Sequence, residues 1–170
     1  MQDLSQQVAI VTGASSGIGE AVARRLAASG MKLALVARSR DTLASIAADI
    51  RNAGGTASVH AADVTREEQV DGLFAAVARE FGPPDLLVSN AGIADKTPLE
   101  DLSLTRWQQV LDVNLTAAFL CCRAAVRLMK PRRRGRILLV GSISALVPRE
   151  HTAAYTTTKF ALDGLTRSIA

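Results

Sequence analysis

The chain has 170 residues, 48% of them apolar and 21% charged, which excludes a disordered polymer and supplies enough material for one sizeable core. Aromatic residues make up only 4%, too few for a platform that stacks nucleic-acid bases. The net charge is +4, yet the run Lys130-Pro131-Arg132-Arg133-Arg134-Gly135-Arg136 alone carries five cations, so the basic balance is one local feature rather than a general affinity for polyanions.

In chain order, residues 7–12 (QVAIVT) predict a strand and 17–29 a helix with Ile18, Val22 and Leu26 on its inner face. Residues 32–37 (KLALVA) predict a second strand, followed by a helix over 41–53 with Leu43, Ile46, Ala47 and Ile50 at helical spacing. A third strand over 56–61 precedes a helix over 66–81 carrying Val70, Phe74, Val77 and Phe81, and a fourth strand covers 85–89. One long helix is expected over 103–129, with Leu104, Trp107, Leu111, Leu115, Cys122, Val126 and Met129 on or near its inner stripe. A fifth strand over 136–141 and a last helix from 152 onward complete the chain, the helix still running at Ala170 without a Gly, Pro or loop to close it.

Strand–helix units joined by short loops imply right-handed crossovers and a parallel sheet covered on both faces. The expectation is one doubly wound α/β domain over residues 1–170, three-layer α/β/α, with strand order 3-2-1-4-5. No apolar run approaches the roughly 18 residues of a membrane span. Residues 1–11 lack the basic stretch and apolar core of a secretory signal, so a cytoplasmic protein is expected. Cys121 and Cys122 are adjacent on a helix, lack metal-ligand spacing, and are expected as reduced thiols in or near the core.

After the first strand comes Thr12-Gly13-Ala14-Ser15-Ser16-Gly17-Ile18-Gly19, opening directly into a helix. Small residues let the backbone turn sharply and approach a pyrophosphate, and the helix N-terminus offers unpaired N–H groups and the positive end of its dipole. Dinucleotide binding is the expectation. At the tip of the second strand an acidic residue would bind the ribose 2′-hydroxyl of NAD, whereas Arg38 suits the 2′-phosphate of NADP, which is therefore favoured.

Tyr155 and Lys159 lie four apart on a helix and project from one face. A phenol near pKa 10 is a poor base at neutral pH, and a neighbouring ammonium stabilises its phenolate. Tyr155 can then give a proton to a carbonyl oxygen or take one from a hydroxyl. Ser142 follows the fifth strand, at the sheet edge where α/β folds bind ligands. Asn114 interrupts the apolar stripe of the long helix, and a core-facing amide must be satisfied by a neighbouring carbonyl, by a water, or by both.

The phosphate turn, Asn90-Ala91-Gly92, Asn114, Ser142 and Tyr155-Thr156-Thr157-Thr158-Lys159, in that order, resemble the classical short-chain dehydrogenase/reductase family over essentially the whole chain, with a likeness to its 3-oxoacyl-carrier-protein reductases. The resemblance implies a Rossmann fold with Tyr155 as acid/base, Lys159 as its pKa modifier and ribose contact, Ser142 as substrate orienter, and Asn114 as support of a water relay. It also implies cofactor contacts at Gly13, Ser15, Ser16, Gly17, Ile18, Gly19, Asp63, Val64, Asn90, Ala91 and Gly92. Asp63-Val64 is similar to the family's adenine contact, with an N-cap-like carboxylate before the next helix as the alternative for Asp63.

The implied activity is NADP(H)-dependent hydride transfer to or from a small carbonyl or secondary-alcohol substrate, with no metal and no nucleic-acid or membrane partner. A homodimer or homotetramer through the 103–129 helix and the last helix is implied by the same likeness. Family members continue past this point, so the domain is expected to be incomplete at its C-terminus, lacking two strands and the substrate lid. A fragment of a complete reductase is the preferred reading; the alternative is a shortened, catalytically inactive dinucleotide-binding or scaffold protein. Ser144 has the wrong spacing for the family serine, His151 reads as a loop residue, and His60 as structural. The basic run reads as a solvated turn after the long helix.

Overall fold

Strands that are apolar at nearly every position can exist only with both faces covered, and Val8–Thr12 (β1) and Lys32–Ala37 (β2) meet that demand. The computed structural model describes residues 4–170; residues 1–3, part of the segment read for a secretory signal, lie outside the described residues. β1 pairs in parallel with β2 from Val8↔Lys32 to Thr12↔Val36, and on its other side with Leu86–Ser89 (β4). Thr56–Ala61 (β3) and Arg136–Leu139 (β5) are the outer strands, giving the order β3-β2-β1-β4-β5. The expected order is the observed one. The connection reverses direction between β1 and β4, which opens a crevice at the C-terminal edge of the sheet.

Alternation along the strands divides the core in two. Ala9 and Val11, with Leu33 and Leu35, pack under the helices Gly17–Ala28 (α1) and Arg40–Asn52 (α2). Val8, Ile10 and Leu87 pack under Glu67–Phe81 (α3) and Ala117–Met129 (α5). Leu104–Leu111 (α4) and Ala153–Ile169 (α6) complete the second layer. The α2 face is buried as expected, through Leu43, Ile46, Ala47 and Ile50. Cys121 and Cys122 are free and buried, and burial pushes their thiols up to about 12 and about 11.

Two expected inner faces are corrected. On α1 the buried stripe is Gly19, Ala23 and Ala27, while Ile18 is 64% exposed and Val22 and Leu26 are half-buried. The reason is close approach: a Cβ on Gly19 would collide with the Gly13 carbonyl and the Asn90 side chain, so only small residues bring α1 this near the sheet. The 103–129 segment is helical throughout but not one regular α-helix, because Asp112–Thr116 forms a π turn between α4 and α5. The extra residue rotates the stripe, burying Val110, Asn114, Ala117, Ala118 and Cys121 and leaving Leu104 78% exposed.

The helical stretch Leu104–Arg132 is long and apolar enough, by length and composition, to cross a membrane, although half of its most apolar part is buried within the fold. Counting unbroken apolar runs missed it, since Asp112, Asn114, Thr116 and Arg123 interrupt the run while the mean hydropathy stays high. The basic run does more than cap this helix. Arg132 donates to the carbonyls of Pro83 and Pro84 at 3.1 and 3.2 Å and to Asp85 at 2.7 Å, and Arg134 reaches Asp85 at 3.3 Å. Asp85 in turn accepts from the Val8 N–H at 3.0 Å, fastening the N-terminal edge of the sheet.

The corrected α1 stripe makes a paired prediction. Gly19→Ala is expected to cost about 1–3 kcal/mol through overpacking, whereas Ile18→Ala should stay within about 0.5 kcal/mol. Urea unfolding midpoints of the two variants check the contrast.

Candidate active site

A cleft of about 1550 Å³ lies over the C-terminal edge of the sheet. Its walls bring together Gly13, Ser15, Ser16, Gly17 and Ile18 from the β1–α1 turn, Arg38 after β2, Asp63 and Val64 after β3, and Asn90, Ala91 and Gly92 after β4. Of the residues expected around a nucleotide, Gly19 instead lies buried beneath the turn, where it sets the approach of α1.

Gly13 and Gly17 hold φ of +64° and +56°, a region that a side chain would strain. Ser16 caps α1 without a side-chain hydrogen bond, so the first-turn N–H groups keep their capacity to bind at the cleft. A Cβ on Gly17 would meet nothing within 4 Å, which leaves open space at the turn for a bound group. These features fit a pyrophosphate, and the exposed Arg38 lines the same cleft.

Asp63 is not an N-cap; Arg66 precedes α3 in that position. Its carboxylate accepts from the Thr65 N–H at 3.0 Å and the Thr65 hydroxyl at 2.7 Å. The Thr65 N–H is the main cause holding its pKa below the usual range, with the Thr65 hydroxyl and the charge of Arg38 adding to it.

Asn90 spends its side chain on the sheet, donating to the carbonyls of Thr12 at 3.1 Å and Gly13 at 3.3 Å. The N–H groups of Asn90 and Ala91 both donate to the Thr12 hydroxyl, at 3.0 and 3.1 Å. Buried Thr12 therefore joins the β1 turn to the β4 loop, a role its place at the end of an apolar run concealed.

Asn114 lies buried in the π turn. Its Oδ1 accepts from the Ile93 N–H at 2.7 Å, and its Nδ2 donates to the Ile93 carbonyl at 2.9 Å and to the Thr158 hydroxyl at 3.2 Å. Both amide hydrogens are thus engaged within the protein, one by a neighbouring carbonyl and one by a hydroxyl. Thr158, fully buried and also missed in the sequence, donates its own hydroxyl to the Tyr155 carbonyl at 2.7 Å. The cleft wall, the π turn and the start of α6 are one connected hydrogen-bonded unit.

Ser142, Tyr155 and Lys159 do not line the large cleft; the Tyr155 carbonyl is joined to its wall through Thr158 and Asn114. Lys159 is buried, its Nζ donates to the Val140 carbonyl at 2.8 Å and lies 5.6 Å from the centre of the Tyr155 ring, and burial pushes its ammonium pKa down. Val140 stands two residues before Ser142, so α6 is tethered to the end of β5 where Ser142 emerges. The Ser142 hydroxyl accepts from the N–H of buried Ser144 at 3.1 Å and caps the single turn Ile143–Ala145. His151 sits in an exposed turn at φ +59°. His60 bonds Ser58 at 2.8 Å and approaches Glu80 at 3.7 Å, remote from this assembly.

The sequence also gave no sign of Asp95, a buried carboxylate that accepts from Arg106 Nε at 2.8 Å and from the N–H and hydroxyl of Thr97 at 3.4 and 3.2 Å. The Arg106 guanidinium is the main cause that holds its carboxyl below the usual range, with Thr97 contributing.

The chain belongs to the short-chain dehydrogenase family: the family's sequence profile, described as short chain dehydrogenase, matches residues 7–170. It is 39% identical over 172 residues to a 3beta-hydroxysteroid dehydrogenase of Mediterraneibacter gnavus, covering 100% of this chain and 62% of that protein. It is also 39% identical over 171 residues to a 3-oxoacyl-[acyl-carrier-protein] reductase of Synechocystis sp., covering 100% of this chain and 69% of the relative. The chain therefore spans about two thirds of the length of these curated relatives. Among solved structures, a metagenomic short-chain oxidoreductase in complex with NADP superposes with a TM-score of 0.95 at 38% identity, covering 99% of this chain and 77% of that one.

Because the folded Asp95 carboxyl titrates below its unfolded value, its stabilisation is complete above about pH 4 and is lost as pH falls through the depressed range. The gap in melting temperature between wild type and Asp95→Asn should accordingly be constant near neutrality and close in acid. Thermal melts from pH 7 to pH 3 check this.

Proposed function

We propose that the chain carries the nucleotide half-site and the proton-transfer residues of an NADP(H)-dependent oxidoreductase acting on a carbonyl or secondary alcohol. The observation that carries the reading is the buried Lys159 ammonium, 5.6 Å from the Tyr155 ring and tied to the strand end before Ser142, in a unit hydrogen-bonded to a cleft that fits a pyrophosphate. The NADP complex of the structural neighbour supports the same nucleotide here. When bound, NADP(H) supplies or accepts the hydride.

The chain's own residues do the rest. Tyr155 gives its phenolic proton to the carbonyl oxygen during reduction and recovers it from the hydroxyl during oxidation. Lys159 stabilises the phenolate left behind, and Ser142 holds the substrate oxygen against Tyr155. Asn114 fixes the start of α6, and with it Tyr155, relative to the cleft wall through Thr158.

The substrate is a small carbonyl or alcohol of the kind its relatives are named for, such as a hydroxysteroid or a 3-oxoacyl group. An apolar groove of about 700 Å³ between α5 and α6, walled by Phe119, Val126, Leu165 and Ile169, supports the proposed homodimer or homotetramer, and the cytoplasm is its proposed location.

Tyr155→Phe is expected to lower NADPH-dependent ketone reduction by about 10²–10⁴-fold with NADPH affinity nearly unchanged. Turnover of a ketone panel together with NADPH titration tests this; undiminished turnover would overturn the assignment, and binding without any wild-type turnover would favour a non-catalytic nucleotide-binding role. Arg38→Asp should weaken NADPH relative to NADH by roughly 10- to 100-fold, the worth of a charge-assisted contact, read as the ratio of the two dissociation constants.

A further inference from the structure

Residues 90–98 leave β4 and cross the C-terminal edge of the sheet without regular secondary structure, and Asn90 to Ala94 form one wall of the cleft. A segment of this kind keeps a fixed shape only through side chains that hold its peptide groups. Two such holds belong to the site already described: Asn90 on Thr12 and Gly13, and Asn114 on Ile93.

The third takes no part in the proposed proton transfer, although Arg106 itself lines the cleft. Arg106, in the first turn of α4, donates through Nε to Asp95 at 2.8 Å and through one terminal nitrogen to the Ala94 carbonyl at 2.9 Å. Its other terminal nitrogen is oriented by the Gln109 side-chain oxygen at 2.8 Å. One planar guanidinium thus grips a buried carboxylate and the adjoining peptide together, a fork that an ammonium cannot reproduce. Arg106 and Asn114 stand on the same helical stretch, so the helix acts as a splint along residues 93–95.

We propose that Asp95 and Arg106 are a positioning pair that presets the Ile93–Ala94 wall of the nucleotide cleft before the nucleotide arrives. This rests on the nucleotide reading above. Without the pair the wall would have to be ordered on binding, and affinity would fall by that ordering cost.

The test measures NADPH dissociation constants for wild type, Asp95→Asn, Arg106→Lys and the double variant, well below each unfolding midpoint. Each single variant is expected to bind roughly tenfold more weakly, and the double variant no more weakly than either single one, because one shared clamp is lost. Arg106→Lys keeps the charge and should not rescue. Unchanged affinity in variants that merely melt earlier would overturn the proposal, as would fully additive losses.

Where a variant fails to fold, hydrogen exchange on the wild type decides. Protection of the 93–97 peptide before NADPH is added supports a preset wall, and protection only after addition overturns it. A wild type that binds neither NADPH nor NADH would overturn the nucleotide reading itself and this proposal with it. Wild-type binding with unaltered variants would overturn only the pair.

Discussion

A buried amide must find partners inside the protein, and the satisfaction of Asn114 is the constraint on which the site geometry depends. The side chain can serve Ile93 and Thr158 together because the π turn Asp112–Thr116 places it on the buried side of the stretch joining α4 and α5. A regular helix would present a different set of residues at this level. The π turn, which disturbs the helical ladder, is thereby coupled to a polar network that joins loop, helix and Tyr155-bearing segment. Each contact in that network is an ordinary hydrogen bond; their common point is what fixes three chain segments in one arrangement.

The opposite wall of the cleft obeys a steric constraint. α1 approaches the sheet closely enough for Gly19 to lie against Gly13 and Asn90, and this closeness brings the helix N-terminus up to the phosphate turn. Glycine at a helix start gains nothing in propensity, and here its worth is the volume it leaves free. The buried stripe of Gly19, Ala23 and Ala27 is therefore part of the site as well as part of the core.

The layer order and all five strands were legible because short apolar runs and helical periods are set by burial on both faces of a sheet. Boundaries moved by one or two residues, as at Gln7 and Val140, where pairing at strand ends weakens. The glycine turn into α1 and the placing of Tyr155 and Lys159 on one helix were legible because each is local in sequence. Thr12 and Thr158 were not, since their roles arise from contacts across the fold: Thr12 meets a loop 78 residues away, and Asn114 meets Thr158 across 44. Asp95 and Arg106, 11 residues apart, were not because their pairing depends on the path of an irregular loop that no periodicity marks. The inner face of α1 was misread because size was taken as the sign of burial where the packing required its absence. Leu104 was misread because a uniform helical period cannot register a π turn.

The two ends of the sheet differ in how they treat polar groups, and that difference bears on function. At the N-terminal edge, Asp85 is answered by Arg132, Arg134 and the Val8 N–H, a fastening that needs no ligand. At the C-terminal edge, a helix begins without a side-chain cap, and an ammonium is buried against its own preference for the charged form. Lys159 has three N–H donors and the Val140 carbonyl takes one, while its Nζ lies 5.6 Å from the centre of the Tyr155 ring. The buried ammonium and the uncapped helix start fall at the one edge where the large cleft opens, so the polar capacity left unanswered within the fold is gathered beside that cleft.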